Sequence, residues 1–269
     1  MSMHQNATIL ILNGVMQLLT KQQLMLLSTK TICGSKPWNS SIRKELCYMT
    51  GIDRIRKKTF QAPEDMEYTV TFNNSKDKTK FIKRCERLIR SSMEYRDYIS
   101  YLKEYVDMNH CAFFNNVENG NGSRVRIEIH HEPFTLYDIT NVVVNRFQKD
   151  GIPLNDYFIA DEVMKLHYQN EVGLIPLSKS LHQMVHFSDN IVIPFNLIYG
   201  NYRKFIEDYS DYFDFDGDTS ILDKFEAKAI DSRKFSAEML NKLTPSFVYI
   251  AVDGFSLPQK VPVQELEHA

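Results

Sequence analysis

The chain has no Cys-x-x-C pair: its four cysteines, Cys33, Cys47, Cys85 and Cys111, are scattered along it. That scatter argues against a cysteine zinc knuckle and for reduced, mostly packed thiols. Long apolar runs are also missing. The longest near the start, residues 7–15 followed by Leu18 and Leu19, is broken by Asn13, Gly14 and Gln17 and falls short of the ~20 apolar residues a bilayer span needs. Neither a basic leader nor a small-residue cleavage site accompanies it, which predicts no membrane span, no secretory signal and a cytoplasmic location. There is no internal repeat. A large excess of charge is absent too: a net charge of −2, with 25% charged and 43% hydrophobic residues, excludes disorder as the default state. At 269 residues the chain suffices for one sizeable domain or two small ones.

The charge that is present is unevenly spread. Residues 1–110 carry 18 Lys and Arg against 11 Asp and Glu, whereas residues 111–269 carry 14 against 23. The basic half is the candidate for touching a nucleic-acid backbone, and the acidic half needs a metal ion to tolerate phosphate.

Periodicity predicts an α+β protein. Residues 8–12, 24–32 and 68–72 read as strands and 41–48 as a short helix, making residues 1–75 a mixed α/β region. Phe81, Cys85, Leu88, Met93, Tyr98, Leu102 and Tyr105 recur at helical spacing, with a break expected near Ser91-Ser92, so residues 76–110 form a linking helical segment. Within residues 111–213, two strands, 111–117 and 124–129, flank a turn-rich segment. Helices follow at 136–148, closed by Gly151, and at 155–168, capped by Asn155 or Asp156. A short strand, 173–177, then leads into a helix capped by Ser178. Residues 190–193 are extended, and Pro194 opens a helix that continues through 195–212. Residues 214–269 form an acidic, mixed extension.

Four of the eight histidines fall in two clusters, His130-His131 and His182 with His186. Imidazoles four residues apart share one helix face, where both can reach one metal ion. A doublet at the end of a strand can complete such a site. Three neutral imidazoles leave positions open on a divalent ion for phosphate oxygens, and a fourth, with a pKa close to neutrality, can take a proton from water.

In this arrangement of strand, His-His step, short strand and H-x-x-x-H helix, the chain resembles the HNH, or ββα-metal, nuclease family. The matching residues are His130-His131-Glu132-Pro133 and the run from Leu174 through His182 to His186. A wider set is similar to bacteriophage-encoded HNH-like proteins: Ser91-Ser92-Met93-Glu94-Tyr95, His130 through Ile139, and Tyr199-Gly200-Asn201-Tyr202. The resemblance implies an HNH-like module elaborated with extra helices, with His130, His182 and His186 as metal ligands and His131 as the general base. It implies a divalent-metal-dependent endonuclease acting on DNA, with RNA as the alternative substrate, and with Mg²⁺ or Mn²⁺ as the ion in the cell. An all-imidazole set would also hold Zn²⁺ or Ni²⁺ tightly.

Three departures bear on activity. Gly173 stands where the family usually has the asparagine that pins the base-bearing loop, with Asn141, Asn145 and Asn170 as substitutes to consider. Ser178 and Leu181 occupy positions where a cysteine pair is common. The 42 positions from His131 to Gly173 leave room for two inserted helices. These departures support a second reading, a catalytically inactive HNH-fold phage protein that binds a host protein or nucleic acid. Strand alternation adds a tension: Arg124, Arg126, Glu128 and His130 share one face, and His131 shares the apolar face of Val125, Ile127 and Ile129. A bulge or the strand's end near Ile129 is expected to redirect His131.

Arg124 and Arg126 could hold phosphates from their strand face, or could simply be solvated and paired with Glu128. The series Lys78, Lys80, Lys83, Arg84, Arg87 and Arg90 could track a nucleic-acid backbone or form an ordinary solvated helix face. His110 and His167 read as ordinary histidines.

Overall fold

The computed structural model describes residues 8–12, 15–19, 69–119, 125–187, 191–234, 243–250 and 257–266. The chain divides into two units, Met1–Thr50 and Gly51–Ala269. In the first, strands β1 (Thr8–Leu12) and β2 (Val15–Leu19) pair antiparallel with Leu12 opposite Val15. Asn13-Gly14, the dipeptide between them, is the strongest short hairpin signal in a sequence. The strand expected at 24–32 and the helix expected at 41–48 lie outside the described residues.

The second unit begins with helices α1 (Ser75–Ser91) and α2 (Met93–Glu104). Asn74 caps α1, its side chain accepting from the Asp77 amide at 3.0 Å. Ser92 separates the two helices at the expected break. Its extended backbone ends α1, and its hydroxyl accepts from the Tyr95 amide at 3.0 Å to start α2. Phe81, Ile82, Cys85 and Ile89 form the buried stripe of α1, and Tyr95, Tyr98, Tyr101 and Leu102 that of α2. Residues 69–72 form no strand. Their amide at Val70 donates to the Leu154 carbonyl at 2.8 Å, tying the segment to a helix–helix connection instead of a sheet.

Helix α3 (Leu136–Lys149) starts with a capping box between Thr135 and Asp138, and α4 (Asp156–Tyr168) is capped by Asn155. Gly151, at φ 65°, makes the turn between them. Both helices pack against α1.

Strand β3 (Ile127–His131) pairs antiparallel with β4 (Leu174–Ser178), and α5 (Lys179–Phe187) follows β4 directly. The expected local pairing of β3 with residues 111–117 does not occur. Those residues fold into a tight loop, with the Cys111 amide donating to the Val117 carbonyl at 2.7 Å. Four of the five β4 residues are buried, so β4 offers β3 an apolar partner that a local pattern cannot reveal. Ile127, Ile175, Leu177, Leu197, Ile198 and Tyr202 belong to the core cluster around this strand pair, with Leu181 and Val185 of α5 packed on it.

The continuous helix expected over 195–212 is broken. A 3-10 turn (Phe195–Leu197) leads to Tyr199, which exchanges backbone bonds with Leu174 at 2.8 Å, before α6 (Tyr202–Asp208) and another 3-10 turn (Ser210–Tyr212). Gly200 makes the break: at φ 106°, a Cβ there would lie 2.0 Å from the Val172 carbonyl oxygen. Helix α7 (Ser220–Lys234), the antiparallel pair β5 (Phe247–Ile250) and β6 (Gln259–Pro262), and α8 (Val263–Leu266) complete the described chain. Among the described residues, no helix is long and apolar enough to cross a membrane.

Candidate metal centre

β3 delivers His130 and α5 delivers His182 and His186. Ser178 ends β4, and its hydroxyl accepts from the Leu181 amide at 3.4 Å, which turns the chain into α5 with no intervening loop. One helical turn then separates His182 from His186 on the face toward β3. Ring centroids lie 5.1 Å apart for His130 and His182, 5.0 Å for His130 and His186, and 4.7 Å for His182 and His186. One nitrogen from each ring lies within 4.8 Å of the other two.

The donor set fits a divalent ion. His182 Nε2 and His186 Nε2 are 3.3 Å apart. Two nitrogens bound at ~2.05 Å to one tetrahedral zinc would be ~3.3 Å apart. Three imidazoles are a nitrogen-rich donor set able to coordinate a divalent ion. His130 is buried, His182 half-buried and His186 exposed, so the cluster opens to solvent on the α5 side. Burial lowers the pKa of both helical histidines, assisted at His182 by nearby His130 and at His186 by His182. Both are therefore neutral at pH 7, with lone pairs to donate.

Two carboxylates back the cluster. His182 Nδ1 lies 2.8 Å from Glu128 Oε2; Nδ1 donates this bond, leaving Nε2 to face His186. Glu132 Oε2 lies 3.4 Å from His130 Nε2, and Lys228 of α7 reaches the Glu132 carboxylate at 2.9 Å and the Pro133 carbonyl at 2.8 Å. Burial works to raise the Glu132 pKa, but the hydrogen bond from His130 and the charge of Lys228 outweigh it and hold the group below its ordinary value. Glu128 is legible in the sequence as a neighbour, two residues before His130 on one strand face. Glu132 and Lys228 carry no signal of their own, because their pairing spans 96 residues.

His131 lies elsewhere. The β3–β4 register stays regular through His131, with His130 opposite Ile175 and His131 opposite Leu174, so β3 neither bulges nor ends at Ile129 as expected. Consecutive side chains therefore leave the strand on opposite faces. His131, only 4% exposed, points into a pocket where its Nε2 is 3.0 Å from His167 Nε2 and its ring stacks on Tyr95. His167 Nδ1 is 2.7 Å from the Val163 carbonyl, which can only accept, so Nδ1 carries the proton. Burial lowers both pKa values, that of His167 to about 4, so both rings are neutral at pH 7. His167 Nε2 is then an acceptor, and His131 Nε2 is committed to donating to it. His131 thus stands apart from the other three histidines, its ring buried and its Nε2 engaged with His167.

Gly173 sits against the turn after the doublet. The Glu132 amide donates to the Gly173 carbonyl at 3.0 Å, and a Cβ on Gly173 would lie 1.9 Å from the Glu132 carbonyl oxygen. No asparagine can stand there without moving this backbone. Asn145 bonds Lys78 and the Tyr212 carbonyl, and Asn170 bonds Tyr199, so these two are engaged away from the histidines. Arg126 is largely exposed and 3.3 Å from Glu128, while Arg124 lies outside the described residues.

No curated protein and no solved structure matches the chain. Residues 50–247 match the family described as bacteriophage G278-like virion protein, a span that holds β3, β4, α5 and α7 together with His130, His131, His167, His182 and His186. Since that span exceeds half of the chain, this protein belongs to the bacteriophage G278-like virion protein family.

Proposed function

We propose that this chain is a virion component that holds one divalent metal ion between β3 and α5 and binds nucleic acid without cutting it efficiently. The observation that carries this reading is the division of the four histidines. His130, His182 and His186 gather with their nitrogens within 4.8 Å, while His131 is sequestered with His167. The ligand set resembles that of an HNH module, and the group that would activate water is engaged in the core. A bound ion, Zn²⁺ or Ni²⁺ in preference to Mg²⁺ or Mn²⁺, would tie β3 to α5 and leave coordination positions for an outside oxygen.

The exposed face of α1 supports a nucleic-acid partner. Lys76, Lys80, Lys83, Arg87 and Arg90 are all exposed and recur at intervals of four and three, which places them in one row about 21 Å long. Among the described residues, only Lys80 and Arg90 of this row have a carboxylate within 4.0 Å, from Asp77 and Glu86. Arg90, at the end of the row, is close enough to His182 and His186 to help lower their pKa values.

A second reading, a metal-dependent endonuclease, is favoured by the opening of the three-imidazole set to solvent at His186. Incubating zinc-, nickel-, manganese- or magnesium-loaded protein with supercoiled plasmid separates the two. Retarded but intact plasmid is expected with every ion. Metal-dependent nicking that disappears in His130→Ala would establish the nuclease.

A further inference from the structure

We infer that Glu132, held by Lys228 of α7, is a positioning residue for His130, so that the C-terminal helix is part of the metal centre; this rests on the metal-binding reading above. Glu132 is 4% exposed, and a buried carboxylate is costly unless it is paired and hydrogen-bonded. Both conditions are met by groups with nothing else in common. Lys228, from a helix far downstream, supplies the counter-charge at 2.9 Å from each carboxylate oxygen, and His130 Nε2 lies 3.4 Å from Oε2. Lys228 also donates to the Pro133 carbonyl, so the same ammonium fixes the turn that carries the carboxylate.

The backbone of Glu132 is fixed as well. Its amide is bonded to the Gly173 carbonyl, and its own carbonyl lies where any side chain at position 173 would have to go. Glycine at 173 thus lets the chain press against Glu132 and hold its carboxylate beside His130. A carboxylate accepting from one imidazole nitrogen sets the tautomer and the ring angle, leaving the other nitrogen to bind metal. Glu128 stands in the same relation to His182, at 2.8 Å. Each of these two imidazoles is therefore backed by a carboxylate that carries its own cation, Arg126 for Glu128 and Lys228 for Glu132.

The test is zinc affinity by competition with a chromophoric chelator, together with the visible spectrum of the cobalt(II)-loaded protein, for wild type, Glu132→Gln, Lys228→Met and Lys228→Arg. The metal-free melting temperature is measured alongside. Zinc affinity is expected to fall 10- to 100-fold in Glu132→Gln, with an altered cobalt spectrum, to fall less in Lys228→Met, and to recover largely in Lys228→Arg. If Glu132→Gln and Lys228→Met bind zinc as wild type does, the inference is overturned, whatever happens to the metal-free melting temperature. Should Glu132→Gln fail to fold, Lys228→Met, altered at a partly exposed position, decides alone. Wild-type protein that binds no zinc would overturn the metal-binding reading itself, and this inference with it.

Discussion

At the scale of single residues, the doublet His130-His131 shows how one step along a strand separates two chemistries. The first imidazole joins two others at a surface opening, and the second is committed to a buried partner. The sequence signals this conflict, because alternation puts His131 on the apolar face of Ile127 and Ile129. It cannot name His167, which comes from another helix. The buried pair has a consequence for stability. His167 has its pKa lowered to about 4, against about 6.5 in an unfolded chain. Between these values the unfolded state binds the extra proton, so stability rises with pH through that window and is fully present above about 6.5. The span corresponds to about 3 kcal/mol from this residue, and His131 contributes in the same direction. Urea denaturation of metal-free protein should therefore give a lower midpoint at pH 4.5 than at pH 7.5, and a smaller difference in His167→Phe. Equal dependence on pH in the variant would show that the pair is not the source.

Among the elements, those with local signals are readable. The break at Ser92, the cap at Asn155, the turn at Gly151 and the helix bearing H-x-x-x-H are each set by a few adjacent residues, and each is found where expected. What depends on distant partners is not readable. The pairing of β3 with β4 instead of with residues 111–117 is one case, and the break at Gly200, imposed by the Val172 carbonyl, is another. The metal ligands lie on the readable side because H-x-x-x-H is a helix-face pattern. The carboxylates and lysine behind them depend on turns and on α7. At this scale the exposed row of α1 makes a distinct prediction. Replacing Lys76, Lys80, Lys83 and Arg87 with glutamine should weaken binding of a short DNA duplex and reduce the slope of log K against log salt by nearly one for each phosphate no longer neutralised. Zinc affinity should not change. An unaltered salt slope would remove α1 from the interface.

For the molecule as a whole, a strand pair and a helix bring three imidazoles together on a scaffold of the bacteriophage G278-like virion protein family. An ion bound there would link β3 to α5 and favour the folded state by mass action, by about 4 kcal/mol at a thousandfold excess over its dissociation constant. The most direct test is a zinc titration of metal-stripped protein, followed by calorimetry and by thermal unfolding, for wild type, His130→Ala, His182→Ala and His131→Ala. One zinc per chain and a raised melting temperature are expected in wild type. Both should be lost in His130→Ala and His182→Ala, while His131→Ala lowers the metal-free melting temperature yet still binds one zinc. Zinc binding that survives the loss of His130 and His182 but disappears with His131 would contradict the account.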